Sequence, residues 1–316
     1  MSLSSLFNSM PNAVGQGLIW GIMAIGVYIT YRILDIADLT VDGSLATGGA
    51  VAAIAITVWN LDPWIALLLA ILAGMLAGLA TGIFHTVCGI PAILSGILTQ
   101  LALYSLNLRI LAIGQEEITK ANVPIQPLYN DYEVLVDSLY IREASMKNPL
   151  IVLAILVVAV IAILYWYFGT ESGSGLRATG ANGNMARAQG INTNNTKILG
   201  LVISNGLVAL CGALLAQYSS GATIDMGKGA IVIGLAAIII GEVMFSKLFS
   251  NFALKLLACV IGAVIYYMVV TVVLRMGLET SDLNLLTALV VALFLAIPYW
   301  KSKYFSKLGK VGHRNA

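Results

Sequence analysis

Apolar runs of about 20 residues, each broken by a short polar patch, recur along the chain from Gly15 to Ile297, the length a helix needs to cross a bilayer. Nine candidate spans follow, near 13–32, 43–59, 64–86, 92–112, 149–169, 196–219, 229–245, 252–274 and 284–300. The second and seventh are short and rich in Gly and Ala. Asp62 followed by Pro63 reads as an N-cap and a first-turn proline opening the third span. Pro91 and Pro149 stand just before two others. Trp59, Trp64, Trp166 and Trp300 fall at span ends, where amphipathic rings suit the membrane boundary. The pattern predicts an all-α polytopic membrane protein of about nine transmembrane helices, residues 1–316 forming one transmembrane domain.

Composition agrees. Of 316 residues, 59% are hydrophobic and 10% charged, which leaves too little polar surface for a soluble domain of this length. Mean hydropathy is +0.92. The opening stretch MSLSSLFNSMPNAV lacks a basic region, so no cleavable signal peptide is expected. Cys88, Cys211 and Cys259 lie in or beside apolar runs and read as reduced packing residues.

Placement of charge sets direction. The tail 301–316 carries Lys301, Lys303, Lys307, Lys310 and Arg314 and no acid, and is expected in the cytoplasm. The segment 170–195, extended to Lys197, holds Arg177, Arg187 and Lys197 against Glu171 and is expected there too. The insert 114–148 holds six acids and three basic residues and is expected outside. Nine spans satisfy all three and put the N-terminus outside. The loop 33–42 fits least well, with Asp35, Asp38 and Asp42 following Arg32.

A short pattern occurs twice. Thr40-Val41-Asp42-Gly43 opens a small-residue helix after the first span. Thr223-Ile224-Asp225-Met226-Gly227 does so after the sixth. Five spans between the copies make them enter from opposite sides, the arrangement of inverted repeats in transporters.

Polar residues within spans are candidates for a solute path. Gln100, Tyr104 and Asn107 share one face of the fourth span. Asn205, Glu242, Asp42 and Asp225 are further candidates. The competing role for each is interhelical hydrogen bonding. Arg109 is placed to snorkel toward the outer surface. Gly74, Gly78 and Gly82 form a small-residue stripe, serving either intrachain packing or a dimer seam. No constellation in the spans announces a strongly charged solute.

Between spans five and six, Asn182 is suited to cap a short helix from Gly183 to Gln189, with Gly190 ending it. Such a helix offers a soluble motor a foothold. Met185 and Ile191 supply apolar contact, Arg187 a charge, and Ala186 sits centrally. The competing reading is a solvated connection.

GLRATGANGNMARAQGIN (175–192) followed by TKILGLVISNGLVALCGALLAQY (196–218) resembles the coupling loop and next helix of permeases in the branched-chain amino acid and ribose family of ABC importers. ADLTVDGSLATGGAVAA (37–53) and MGKGAIVIGLAAIIIGE (226–242) resemble two other blocks of that family, in its order. The subgroup often labelled tryptophan/tyrosine-type or uncharacterised permeases is the nearest in pattern. The resemblance implies a permease in a prokaryotic plasma membrane, working as a homodimer with two separate ATPase subunits and fed by an extracellular lipoprotein binding protein. It implies that Arg177 and the loop around Asn182–Gly190 face the ATPase. The neutral, partly aromatic path candidates suit a small amphiphilic solute, with an amino acid of aromatic type favoured. No nucleic acid or cofactor is expected.

The chain itself is not expected to hydrolyse ATP. Gly221 to Gly229 mimics a phosphate loop, but has one residue too many between its glycines, and Gly229 stands where Ser or Thr must hold magnesium. His85 and His313 are the only histidines and lie far apart in sequence, so no metal cluster or His-based triad is expected. An ion-coupled secondary transporter is the alternative that Asp42 and Asp225 also fit. An export permease or channel is a third.

Overall fold

The computed structural model describes residues 3–114, 122–124, 134–138, 141, 148–245 and 251–275, together with the single positions 285, 288, 289, 292 and 296. Among these, eight helices are long and apolar enough to span a membrane. They coincide with the first eight expected spans. Most of the ninth, the tail 301–316 and most of the insert lie outside the described residues.

The elements are α1 (Leu3–Tyr28) with a π-helical turn (Ile29–Ile33), α2 (Thr40–Thr57), α3 (Pro63–Thr86) and α4 (Ala92–Leu111). After strand β1 (Asn122–Pro124) come α5 (Pro149–Phe168), α6 (Glu171–Ala181), α7 (Gly183–Ala188) and α8 (Thr193–Tyr218). Strand β2 (Gly221–Thr223), a 3-10 turn (Ile224–Gly227), α9 (Ala230–Phe245) and α10 (Phe252–Arg275) complete the order. The expected cap of α3 is present, Asp62 accepting from Trp64 N, and Asn148 caps α5 in the same way, accepting from Leu150 N. Apart from β1 pairing antiparallel with β2, the described chain is helical.

The core forms around α8, with small residues setting the distances. Gly26 of α1 lies against Ser204 and Val208, and Gly15 against Tyr218, so α1 is antiparallel to α8. Gly74 meets Ala209 and Asn205, Gly78 meets Leu201, and Gly82 meets Ile198, so α3 is antiparallel to α8 as well. The glycine stripe of α3 is therefore an intrachain seam. α2 runs parallel to α8, and the approach is close at Gly48 and Gly212. A Cβ at Gly48 would sit 2.0 Å from the Ala209 carbonyl oxygen, and one at Gly212 1.9 Å from that of Leu45. Buried Cys211 and Cys259 pack as expected, whereas Cys88 is exposed just past α3.

These contacts give the bundle two ends. The insert end carries the start of α1, the end of α8 and the β1–β2 pair. The opposite end carries α6, α7 and the starts of α8 and α10. α2 and α9 cross only part of the way. Asn205, halfway along the 26-residue α8, donates from Nδ2 to Asp38 Oδ2 at 2.7 Å, so the chain entering α2 has already reached mid-bundle. α2 then runs 18 residues to the insert end. α9 begins beside Asp42, whose carboxylate accepts from Gly229 N at 3.1 Å and Ile231 N at 3.0 Å. It runs 16 residues the other way, past Met23 and Val27 to an ion pair of Glu242 with Arg32 at 2.9 Å. Two half-helices thus start side by side in the middle and diverge, the inverted relation that the repeated pattern predicts.

Candidate functional site

Where the half-helices start, a cavity of about 110 Å³ opens between α2, α4 and the 3-10 turn. Asp42, Gln100, Tyr104, Asn107 and Lys228 line it. The three α4 residues recur at helical spacing, so one face delivers all of them. Asn107 is buried, and its Nδ2 donates to the Gly43 carbonyl at 3.4 Å. Its Oδ1 is buried and has no hydrogen-bond partner among the described residues. A buried acceptor left unpaired is costly, so such atoms mark places where water or a solute completes the set. Tyr104 is 48% exposed and presents an aromatic face at the cavity mouth.

The remaining path candidates lie elsewhere. Asn205 is fully buried and cross-links: its Oδ1 accepts from Ser44 Oγ at 2.6 Å while its Nδ2 serves Asp38. Glu242 lies at the α6 end with Arg32. Asp225 does not line the cavity but pairs with Lys228, which does, at 2.8 Å. Sequence reasoning passed over two residues here. Lys228 was visible as the i+3 partner of Asp225. Asp38 accepts from Thr40 N at 2.9 Å and caps α2, yet read only as a loop acid.

The α6–α7 region forms a second surface. Asn182 Oδ1 accepts from Asn184 N and Met185 N, each at 3.1 Å, so α7 is capped as expected. Gly190 takes φ +85° and lets the chain turn back, with Ile191 N bonded to the Ala186 carbonyl at 3.0 Å. Ala186 is buried, while Met185 is 59% exposed and projects from the bundle. Arg187 Nε donates to Thr193 Oγ1 at 2.7 Å, which ties α7 to the first turn of α8. Arg177 turns away from this surface. Its guanidinium bonds the Phe168 carbonyl and lies 5.8 and 5.6 Å over the rings of Phe168 and Phe252. It clamps α6 to the ends of α5 and α10. No group of three or more metal-ligating side chains exists among the described residues.

Residues 9–301 match the family described as branched-chain amino acid transport system / permease component. The chain belongs to this family. It is a multi-pass membrane permease component of a bacterial ABC importer, not itself an enzyme. Membership implies ATPase and binding-protein partners, and it removes the ion-coupled alternative. The permease is 41% identical over 282 residues to a tyrosine transport system permease protein of Clostridioides difficile (strain R20291), covering 89% of this chain and 88% of that one. It is 34% identical to an uncharacterized protein of Rickettsia prowazekii (strain Madrid E), over 92% and 97% of the two chains. A nucleoside ABC transporter permease protein of Lactococcus lactis subsp. cremoris (strain MG1363) is 28% identical over 76% of this chain and 70% of its own. Among solved structures, PsaBC from Streptococcus pneumoniae in complex with Fab shares the fold, with TM-score 0.54 and 16% identity over 96% of this chain and 99% of that one.

Proposed function

We propose that the permease imports an amino acid, of aromatic type, along a path that passes the cavity between α2 and α4. The observation that carries this reading is the convergence of Asp42, Gln100, Tyr104 and Asn107 at the meeting point of two half-helices. Transporters place solute sites where discontinuous helices meet near the midplane. The unpaired Asn107 Oδ1 suits an ammonium or hydroxyl donor, and exposed Tyr104 suits an apolar or aromatic side chain. The 41% identity to a tyrosine permease supports the solute class. The cavity is small and open, so it holds part of a solute, and a second permease copy supplies the rest of the path.

In the same reading the α6–α7 end faces the cytoplasm, in accord with its Lys and Arg. α7 docks on the ATPase through Met185, with Ala186, Gly190, Ile191 and the Arg187–Thr193 bond keeping it rigid against α8. The insert end then faces the binding protein.

Uptake into proteoliposomes holding permease, ATPase and binding protein tests this. Asn107→Leu and Tyr104→Ala should lower tyrosine uptake about tenfold, the factor that 1.4 kcal/mol of lost interaction gives, with assembly unchanged. If both transport like wild type the cavity is only packing, and if nucleosides enter while aromatic amino acids do not, the solute class is wrong.

A further inference from the structure

A second cavity lies away from the proposed solute path. It measures about 910 Å³ and opens at the α6 end of the bundle. Its walls are the ends of α1 and α5, the last turn of α6 and the start of α10. Three cationic side chains, Arg32, Arg177 and Lys255, line it, and no acidic one among the described lining residues does. Glu242 lies in a smaller adjoining cavity of about 220 Å³ and pairs with Arg32. Arg177 is fixed in place over Phe168 and Phe252. Lys255 makes no side-chain hydrogen bond or ion pair among the described residues.

We propose that this cavity binds the headgroup of an anionic phospholipid. Basic pockets between transmembrane helices at the membrane boundary are suited to acidic headgroups. The position fits, because the pocket sits where four helices end or begin. Beside it Trp166 is 72% exposed and Tyr165 about half exposed, aromatic rings at the depth where headgroups lie. Along α5, Ile155 and Ile163 are exposed below the cavity and give acyl chains an apolar wall. A soluble partner would leave that wall and the rings uncovered. The basic tail 301–316 carries the same sign of charge as the pocket and does not complement it. The phosphate meets Lys255 and the free edge of Arg177, and the lipid thereby bridges α5, α6 and α10.

The test uses the permease co-purified with its ATPase and moved into nanodiscs of phosphatidylglycerol or of phosphatidylcholine. Native mass spectrometry should show retained phosphatidylglycerol, and the thermal midpoint should rise in that lipid relative to phosphatidylcholine. Lys255→Ala should weaken retention about fivefold, as should Arg177→Gln, while Lys255→Arg keeps it. Lys255 is exposed and unpaired, so its variant tests binding even where Arg177→Gln loosens the fold. Equal behaviour in both lipids overturns the proposal. So does a preference that Lys255→Ala leaves untouched. Equal stabilisation by inorganic phosphate in phosphatidylcholine discs makes the pocket a free-anion site and overturns it as well. Loss of the ATPase from Lys255→Ala with lipid retention intact makes it a protein contact instead.

Discussion

The two copies of the Thr–apolar–Asp–Gly pattern do different work. In the first, Thr40 opens α2 directly, and upstream Asp38 accepts its N–H. In the second, Gly221 stands at the offset of Asp38, so no carboxylate precedes Thr223 by two residues. A 3-10 turn intervenes, and the first N–H groups of α9 would be orphans of the kind every helix start leaves. Asp42 of the first copy supplies the missing acceptor. Asp225, its sequence counterpart, pairs with Lys228 instead. The repeat kept the positions at which both half-helices start and divided the tasks of the acids. One carboxylate holds the two halves together, and the other pairs with Lys228, which lines the cavity.

The largest effect should come from breaking the shared cap. Asp42→Ala removes the acceptor for Gly229 and Ile231, and buried donors left unpaired cost about 1–3 kcal/mol each, less where water reaches them. The variant should unfold at a clearly lower temperature in detergent and transport about tenfold more slowly or worse. Asp42→Asn retains one acceptor oxygen and should fall between. Wild-type stability and uptake in Asp42→Ala would mean that the halves are held by packing alone.

A smaller effect should come from the first copy's own cap. Asp38, Asn205, Ser44 and Thr40 N form one buried chain of hydrogen bonds. Asp38→Asn and Asn205→Ala should each cost about 1–2 kcal/mol, and the double variant less than the sum, because the residues share partners. A double-mutant cycle on denaturation free energies checks it. Strict additivity would dissolve the proposed chain.

The sequence made much of this legible, and its gaps have physical causes. Spans show because twenty apolar residues in a row have few other uses. The two spans that looked short and Gly-rich are α2 and α9, and they are short because they begin inside the bundle. α7 was readable from Asn182 and Gly190, since caps act within a few residues. Contacts between distant segments were not readable. Nothing local says that Asp42 bonds N–H groups 187 and 189 residues away, or that Asp38 reaches Asn205. The same blindness misplaced Arg177. A basic residue beside a polar loop suggests a docking charge, yet two aromatic rings from other helices turn it inward. It also hid that part of the insert folds back as β1 onto β2.

The smallest effect should come from Asp225, and it separates pairing from field. Both members of the Asp225–Lys228 pair are largely exposed, where ion pairs contribute little to stability. Asp225→Ala should therefore unfold like wild type, in contrast to Asp42→Ala. Lys228 also lines the cavity, where a positive charge attracts the carboxylate of an entering amino acid. Lys228→Gln should raise the KM for uptake about twofold, as a rim charge acts chiefly on encounter. High salt should shrink the difference by screening. The exchanged variant, Asp225→Lys with Lys228→Asp, keeps the pair and inverts its order. If pairing is what matters, exchange restores wild-type kinetics. If the cation must face the cavity, exchange leaves KM as high as in Lys228→Gln or higher, with stability unchanged. The latter outcome is expected, because a carboxylate at position 228 would sit beside Asp42 and repel the solute that Lys228 draws in.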